Sequence, residues 1–209
     1  MFQPTSDIAF TPGVKAIQAR RGSRAAYARM EARGGFRTAI DETLVAFLAQ
    51  VDTAYLATAN ADGQPYAQHR GGPKGFIRVI DAHTIGFADF TGNRQYISTG
   101  NLAENDRAFL FLMDYAHRRR IKLWGRARVV DAEADLVARL MPDGYQASPE
   151  QVVLFTIEAW DSNCSKHIPQ KFDGADVASA VERLQARIVS LEAENARLRD
   201  HLQPERLHA

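Results

Sequence analysis

Gly86-Phe-Ala-Asp-Phe-Thr-Gly-Asn-Arg94 and, about 25 residues on, Arg118-Arg-Arg-Ile-Lys-Leu-Trp-Gly125 bound the stretch that decides the reading of this chain. The first piece predicts a strand, a glycine turn and a helix starting near Arg94 that carries Gln95, Tyr96, Ile97 and Leu102. A helix N-terminus offers unpaired backbone N–H groups and a partial positive charge, which together favour an anion. Asn93 and Arg94 stand where that anion would be clamped. The second piece alternates as a half-buried strand does. Arg120, Lys122, Trp124, Arg126 and Arg128 share one face, and Ile121, Leu123, Ala127 and Val129 share the other. Six of the 26 Lys and Arg residues fall between His117 and Arg128 in a chain of net charge +1. A charge row alone is most simply a solvated strand face. Set beside a second anion signal, it points to a bound phosphate.

The composition agrees with a soluble protein. The chain has 209 residues, 45% hydrophobic and 24% charged, enough for one domain with a sizeable core and an appendage. Near-neutral charge gives no reason to expect nucleic acid or an anionic membrane surface. Cys164 is the one cysteine, so no intrachain disulfide is possible, as suits a reducing cytoplasm. The first residues lack the basic and apolar regions of a secretory signal, and no run approaches the ~18 apolar residues of a membrane helix.

Along the chain, residues 1–38 read as an irregular arm followed by one helix over Val14–Glu31, ended by Gly34-Gly35. Asp41 caps a second helix with Leu44, Phe47 and Leu48 on one face. Strands follow at Thr53–Thr58, through Tyr66, Gln68 and Arg70, at Phe76–Ile80 and at Thr84–Asp89, with Asn60-Ala-Asp-Gly63 as a hairpin turn. Gly71, Gly72, Pro73 and Gly75 interrupt pairing. Arg107–Asp114 is apolar on both faces, and its second face needs a cover that another subunit would supply. The long strand Arg120–Val130, a short helix over Asp131–Leu140 and a last strand over Val152–Trp160 complete a mainly β domain with helices.

Strand, turn, Asn-Arg-Gln, helix, apolar strand and Arg-Arg-Ile-Lys-Leu-Trp-Gly together resemble the pyridoxamine 5′-phosphate oxidase-like family of FMN-binding split-barrel proteins, over roughly Ala39 to Phe172. The family holds the FMN phosphate with a Ser-Arg-Lys, here Asn93, Arg94 and Gln95, and with a neighbouring Arg-Gln-Val-Arg-Ile-x-Gly strand, here contributing Arg120 and Lys122. Gln95 and Lys122 depart from the pattern, and lysine lacks the bidentate fork of arginine. The resemblance implies that the ring lies against Gln68, His69, Arg70, Gly71 and Gly72 and against Ala88, Asp89 and Phe90. Glycine at 71 and 72 would let backbone approach a flat ligand. Asn163, Cys164 and His167 would stand near the ring. No second Cys-x-x-His or Cys-x-x-Cys accompanies Cys164, so no metal is expected. The implied function is a flavin-dependent oxidoreductase acting on an unidentified small molecule through an electron donor or acceptor; the alternative is a non-catalytic flavin carrier or redox sensor. A deazaflavin or haem ligand also occurs in the wider superfamily. Arg206-Leu207-His208 mimics the substrate-contacting Arg-x-His of the true oxidase but lies past the last helix, so vitamin B6 phosphate oxidation is not expected.

From residue 173 the pattern changes. Val181, Ile188, Asn195 and Leu202 at a and Val177, Leu184, Leu191 and Leu198 at d form a strict heptad repeat. β-Branched a residues, leucine at d and one asparagine at a favour a parallel two-stranded coiled coil. The expected assembly is a homodimer through both barrel and coil. A DNA-binding zipper would need a continuous basic helix leading into the heptads. Pro169 and Gly174 interrupt that region, where Lys166 and Lys171 are the only fixed cations.

Overall fold

The computed structural model describes residues 3–162 and 166–202. Its contacts divide the chain into two compact units, Met1–Ile168 and Pro169–Ala209.

In the first unit, seven strands form one antiparallel sheet: β1 (Thr53–Ala59), β2 (Pro65–Gly71), β3 (Arg78–Val79), β4 (Thr84–Phe90), β5 (Arg107–Asp114), β6 (Arg119–Asp131) and β7 (Pro149–Ser162). Their order is β2-β1-β5-β6-β7-β4-β3. Alternation fixes the inner face. Ala54 and Leu56 of β1, Leu110 and Leu112 of β5, Ile121, Leu123 and Ala127 of β6 and Val153, Phe155 and Ile157 of β7 are buried in one cluster. Helix α3 (Glu42–Leu48) adds Leu44, Phe47 and Leu48, and Asp41 caps it by accepting from the Leu44 N–H at 3.0 Å. Helix α4 (Ile97–Glu104) packs on β1, β2 and β6, and Asn101 donates to Thr58 Oγ1 at 3.0 Å. Helix α5 (Ala134–Leu140) buries Leu140 against Val152 and Leu154. The sheet curls until β2 nears β4, which it does not pair with in the ladder, and the Arg70–Asp89 ion pair joins them.

Several expected elements differ. Val14–Glu31 is not one helix but two, α1 (Pro12–Arg20) and α2 (Arg24–Glu31), because the chain turns at Gly22 with φ 81°. Thr11 caps α1 and Pro12 occupies its first turn, a favoured site for proline. The third strand shortens to Arg78–Val79, and Phe76 and Ile77 serve the core instead. The helix expected at Arg94 starts at Ile97; Arg94 and Tyr96 both adopt left-handed backbone, φ 58° and 52°.

The outer face of the sheet carries an aromatic patch beside its cationic row. Phe109 and Phe111 on β5 are half-buried beside Trp124, and the N-terminal segment lays Phe36 flat on Trp124 at 5.0 Å. β6 alternates as expected, and Gly125 has a packing reason. A Cβ there would stand 2.0 Å from the Thr156 carbonyl oxygen, at a bulge where Glu158 is the extra residue.

The second unit holds α6 (Gly174–Leu202), 29 residues long. Val177, Val181, Leu184, Ile188, Leu191 and Leu198 of the heptad seam are exposed along it.

Candidate functional site

The end of β4, the first turn of α4, the middle of β2 and the start of β7 converge on one cleft of about 270 Å³. Gln68, Arg70, Asp89, Phe90, Asn93, Arg94, Tyr96, Ser98, Thr99, Glu150 and Gln151 line it, with Gly92. A second cavity of about 210 Å³ shares Gln68, Arg70, Asp89 and Phe90 and continues past His69, Gly71, Phe76, Phe87 and Ala88. The two together form a trough along the seam between β2 and β4.

A polar network holds the trough in shape. One Arg70 terminal nitrogen donates to Asp89 Oδ1 and the other to Gln68 Oε1 at 3.0 Å. Ser98 Oγ also donates to Gln68 Oε1 at 3.0 Å. Gln151 Nε2 donates to Asp89 Oδ2 at 2.8 Å and to Thr99 Oγ1 at 3.0 Å. The side chains of Arg70 and Asp89 are only 13% and 11% exposed, so the pair is rigid and nearly desolvated. Arg70 Nε is buried without a hydrogen-bond partner. Arg94 differs in kind. Its side chain is 66% exposed, its Nε donates to the Tyr96 hydroxyl at 2.8 Å, and it lies 3.5 Å from Glu150 Oε1. The Tyr96 contact first, then the Glu150 charge, hold its guanidinium more firmly protonated than usual.

Seven of the anticipated residues therefore meet here by geometry: Gln68, His69, Arg70 and Gly71 from β2 with Ala88, Asp89 and Phe90 from β4. Asn93 and Arg94 join them at one end. The remainder do not join them within one chain. Arg120 and Lys122 stand at the opposite end of β6, and Lys122 pairs with Asp161, ten residues along β7 from Gln151. That is up to ~33 Å of extended strand, so within one chain Arg120 and Lys122 stand apart from Arg94. Much of the cationic row is already neutralised. Lys122 reaches Asp161 at 3.2 Å, Arg126 reaches Asp106 at 2.7 Å and Glu158 at 2.9 Å, and Arg119 reaches Asp114 at 2.6 Å. Arg120 Nε is buried without a partner at that far end.

Gln95 is exposed and lines neither cavity. Gly72 lies beyond the trough in a shallow groove with Asp52, Thr53, His69, Gly71, Pro73 and Tyr145. The glycines at 71 and 72 make room for the chain's own side chains. A Cβ at Gly71 would meet the His69 ring at 2.8 Å, and one at Gly72 would meet Phe76 Cβ at 2.7 Å. His167 is exposed with φ 63° and lines neither cavity. Asn163 and Cys164 lie outside the described residues.

Sequence reasoning missed Ser98, Thr99, Glu150 and Gln151. The run Ile97-Ser-Thr-Gly100 was a usable signal, since small polar residues in a first helical turn suit an anion site. Nothing in the sequence marks Gln151, which reaches the cleft through sheet pairing, or Glu150, which reaches it at a break in that pairing.

The residues present suit a phosphorylated cofactor. The lining offers the Arg94 guanidinium and the hydroxyls and amide of Ser98, Thr99 and Asn93. The cleft's volume falls just under the ~300–1,000 Å³ of small-molecule sites.

Comparison with known proteins gives a family match. The family model for pyridoxamine 5′-phosphate oxidase matches residues 40–164, more than half of the chain. No curated protein shows significant sequence similarity to it. Similar solved structures include HupZ from Group A Streptococcus, 17% identical, covering 64% of this chain and 100% of that one with a TM-score of 0.48. An FMN-binding protein from Syntrophomonas wolfei is 13% identical, with coverage of 70% and 97% and a TM-score of 0.46. A general stress protein 26-related protein of the pyridoxinephosphate oxidase family from Clostridium acetobutylicum is 15% identical, with coverage of 66% and 99% and a TM-score of 0.42.

Proposed function

The chain belongs to the pyridoxamine 5′-phosphate oxidase family, and from that premise we propose that it binds FMN in the trough between β2 and β4. The observation that carries the proposal is the placement of an exposed, exchangeable Arg94 beside the preformed Arg70–Asp89 pair in one cleft of the matched region. Arg94, with Asn93, Ser98 and Thr99, would hold the phosphate. Gln68, His69, Gly71, Ala88 and Phe90 would flank the rest of the cofactor along the shared wall.

When bound, the flavin supplies hydride or electron transfer. The chain's own contribution is to bind and orient it and to exclude water from one side. The rigid Arg70–Asp89 pair fixes the width of the trough, so the cofactor meets a preformed wall. We assign the protein as a flavin-dependent oxidoreductase of small molecules in the cytoplasm. Fold and family leave a carrier or redox sensor as the second reading; bleaching of the bound flavin by NAD(P)H separates them.

The half-buried aromatic patch of Phe109, Phe111 and Trp124 favours a homodimer in which a second copy covers β5. The exposed seam of α6 would pair with its copy as a parallel coiled coil. Arg120 and Lys122 would then reach a cofactor only from the partner. Titrating the purified protein with FMN and with riboflavin, followed by visible absorption and fluorescence, tests the assignment. Tight FMN binding with weak riboflavin binding supports it, and equal affinities refute the phosphate site.

A further inference from the structure

Glu150 enters the cleft by a departure from regular pairing. Asp89 pairs with Gln151 and Phe90 pairs with Pro149, which leaves Glu150 as the extra residue of a β-bulge. Neighbouring strand residues ordinarily point to opposite faces. Here Glu150 and Gln151 both line the same cleft. A bulge that re-aims a side chain at a site is a recurrent device. The side chain so placed is a carboxylate facing the guanidinium that would receive an anion.

The two arginines of the lining are committed to different degrees. Asp89 is saturated by Arg70 and Gln151, and that cluster joins β2 to β4 and β7. Glu150 accepts from the Tyr96 hydroxyl, which in turn accepts from Arg94 Nε. The Arg94–Glu150 separation of 3.5 Å is an ion pair of open geometry between an exposed guanidinium and a partly buried carboxylate. It spans a loop whose residues 94 and 96 both hold left-handed backbone without being glycine, a costly conformation that surrounding contacts must maintain.

We propose that Glu150 is a built-in competitor for the anion of the ligand: it occupies Arg94, through Tyr96, until a phosphate displaces it. The proposal rests on the reading of the cleft as a phosphate-binding site and adds the residue that sets its affinity. Glu150 thereby keeps Arg94 oriented toward the cleft and lowers affinity for anions that cannot outcompete a carboxylate.

The test is a double-mutant cycle with FMN, riboflavin and inorganic phosphate as probes. Glu150→Gln keeps shape and removes charge, and should tighten FMN binding about three- to tenfold, the scale of an exposed ion pair plus relief of like-charge repulsion. Riboflavin affinity should not change. In an Arg94→Ala background, Glu150→Gln should have no effect on FMN. Should Glu150→Gln fold poorly, Tyr96→Phe breaks the same relay and should tighten FMN binding by a smaller factor. Unchanged or weakened FMN binding in Glu150→Gln overturns the proposal. An equal gain with and without Arg94 also overturns it, because the effect is then the general field of the cleft. If the unmutated protein binds no FMN, the flavin reading fails, and the competitor role is decided by phosphate alone. Glu150→Gln should then enlarge the phosphate-induced rise in melting temperature, and an unchanged rise rejects the role.

Discussion

Replacing Asp89 with alanine removes the carboxylate that holds β2 to β4. Asp89 lies in the ladder with β7 and receives Arg70 on one oxygen and Gln151 on the other. After the change, Arg70 keeps its bond to Gln68, loses the Asp89 partner, and still has a buried Nε without one. Breaking one side of a buried ion pair costs ~3–5 kcal/mol, because a charge is left in low dielectric. Here both groups retain slight exposure beside the cleft, so the lower end applies, ~3 kcal/mol. For a unit of this size one kcal/mol moves the melting temperature by about 2–4 °C, so a drop of about 6–12 °C is expected. Thermal denaturation by circular dichroism measures it. The double variant Asp89→Leu, Arg70→Met removes both charges and should recover most of the loss. A drop under about 2 °C for Asp89→Ala, or no recovery in the double variant, would refute the claim that this pair closes the seam.

Other perturbations probe the scaffold. Gly125→Ala should destabilise by at least ~2 kcal/mol, since its Cβ would stand 2.0 Å from backbone oxygen that only strand movement can displace; a normal denaturant midpoint would contradict the close packing of β6 on β7. Burial pushes the Asp114 carboxyl up, but hydrogen bonds from Arg119 and His117 outweigh it and hold the group below its usual value. Its stabilisation is therefore fully present above the unfolded value near ~3.9 and is lost as pH falls through the lower folded value. Asp114→Asn should flatten the fall of the urea midpoint between pH 5 and the acid limit, and parallel curves would exclude Asp114 as a contributor. A chain ending at Phe172 should remain a dimer by light scattering, because the aromatic face of β5 and β6 persists; a monomer would assign dimerisation to α6 alone. Asn195→Leu should raise thermal stability and broaden the oligomer distribution, as loss of a buried polar a residue does in coiled coils.

The strands and the core were legible because alternation reports burial directly. Ile121, Leu123 and Ala127 point inward in the structure as their spacing implies. The start of α4 was misplaced because Asn93-Arg94-Gln95-Tyr96 looks permissive for a helix, whereas Arg94 and Tyr96 take left-handed backbone that no local propensity signals. The single long N-terminal helix failed at Gly22, whose positive φ ends α1. The cationic row was visible, but its partners were not. Asp161, Asp106 and Glu158 meet Lys122 and Arg126 only through sheet register, so charge that reads as available in sequence is spent within the chain. The same reason hid Glu150, which a bulge turns toward Arg94.

The central claim is that the trough between β2 and β4 is a flavin site with a phosphate end at Arg94. Comparing FMN affinity of the unmutated protein and Arg94→Ala by fluorescence titration tests it most directly. A charge-assisted contact is worth ~1.5–3 kcal/mol, so the account predicts a loss of about ten- to a hundredfold, with an unchanged melting temperature for this exposed residue. FMN binding that is equal in the two proteins would contradict the account.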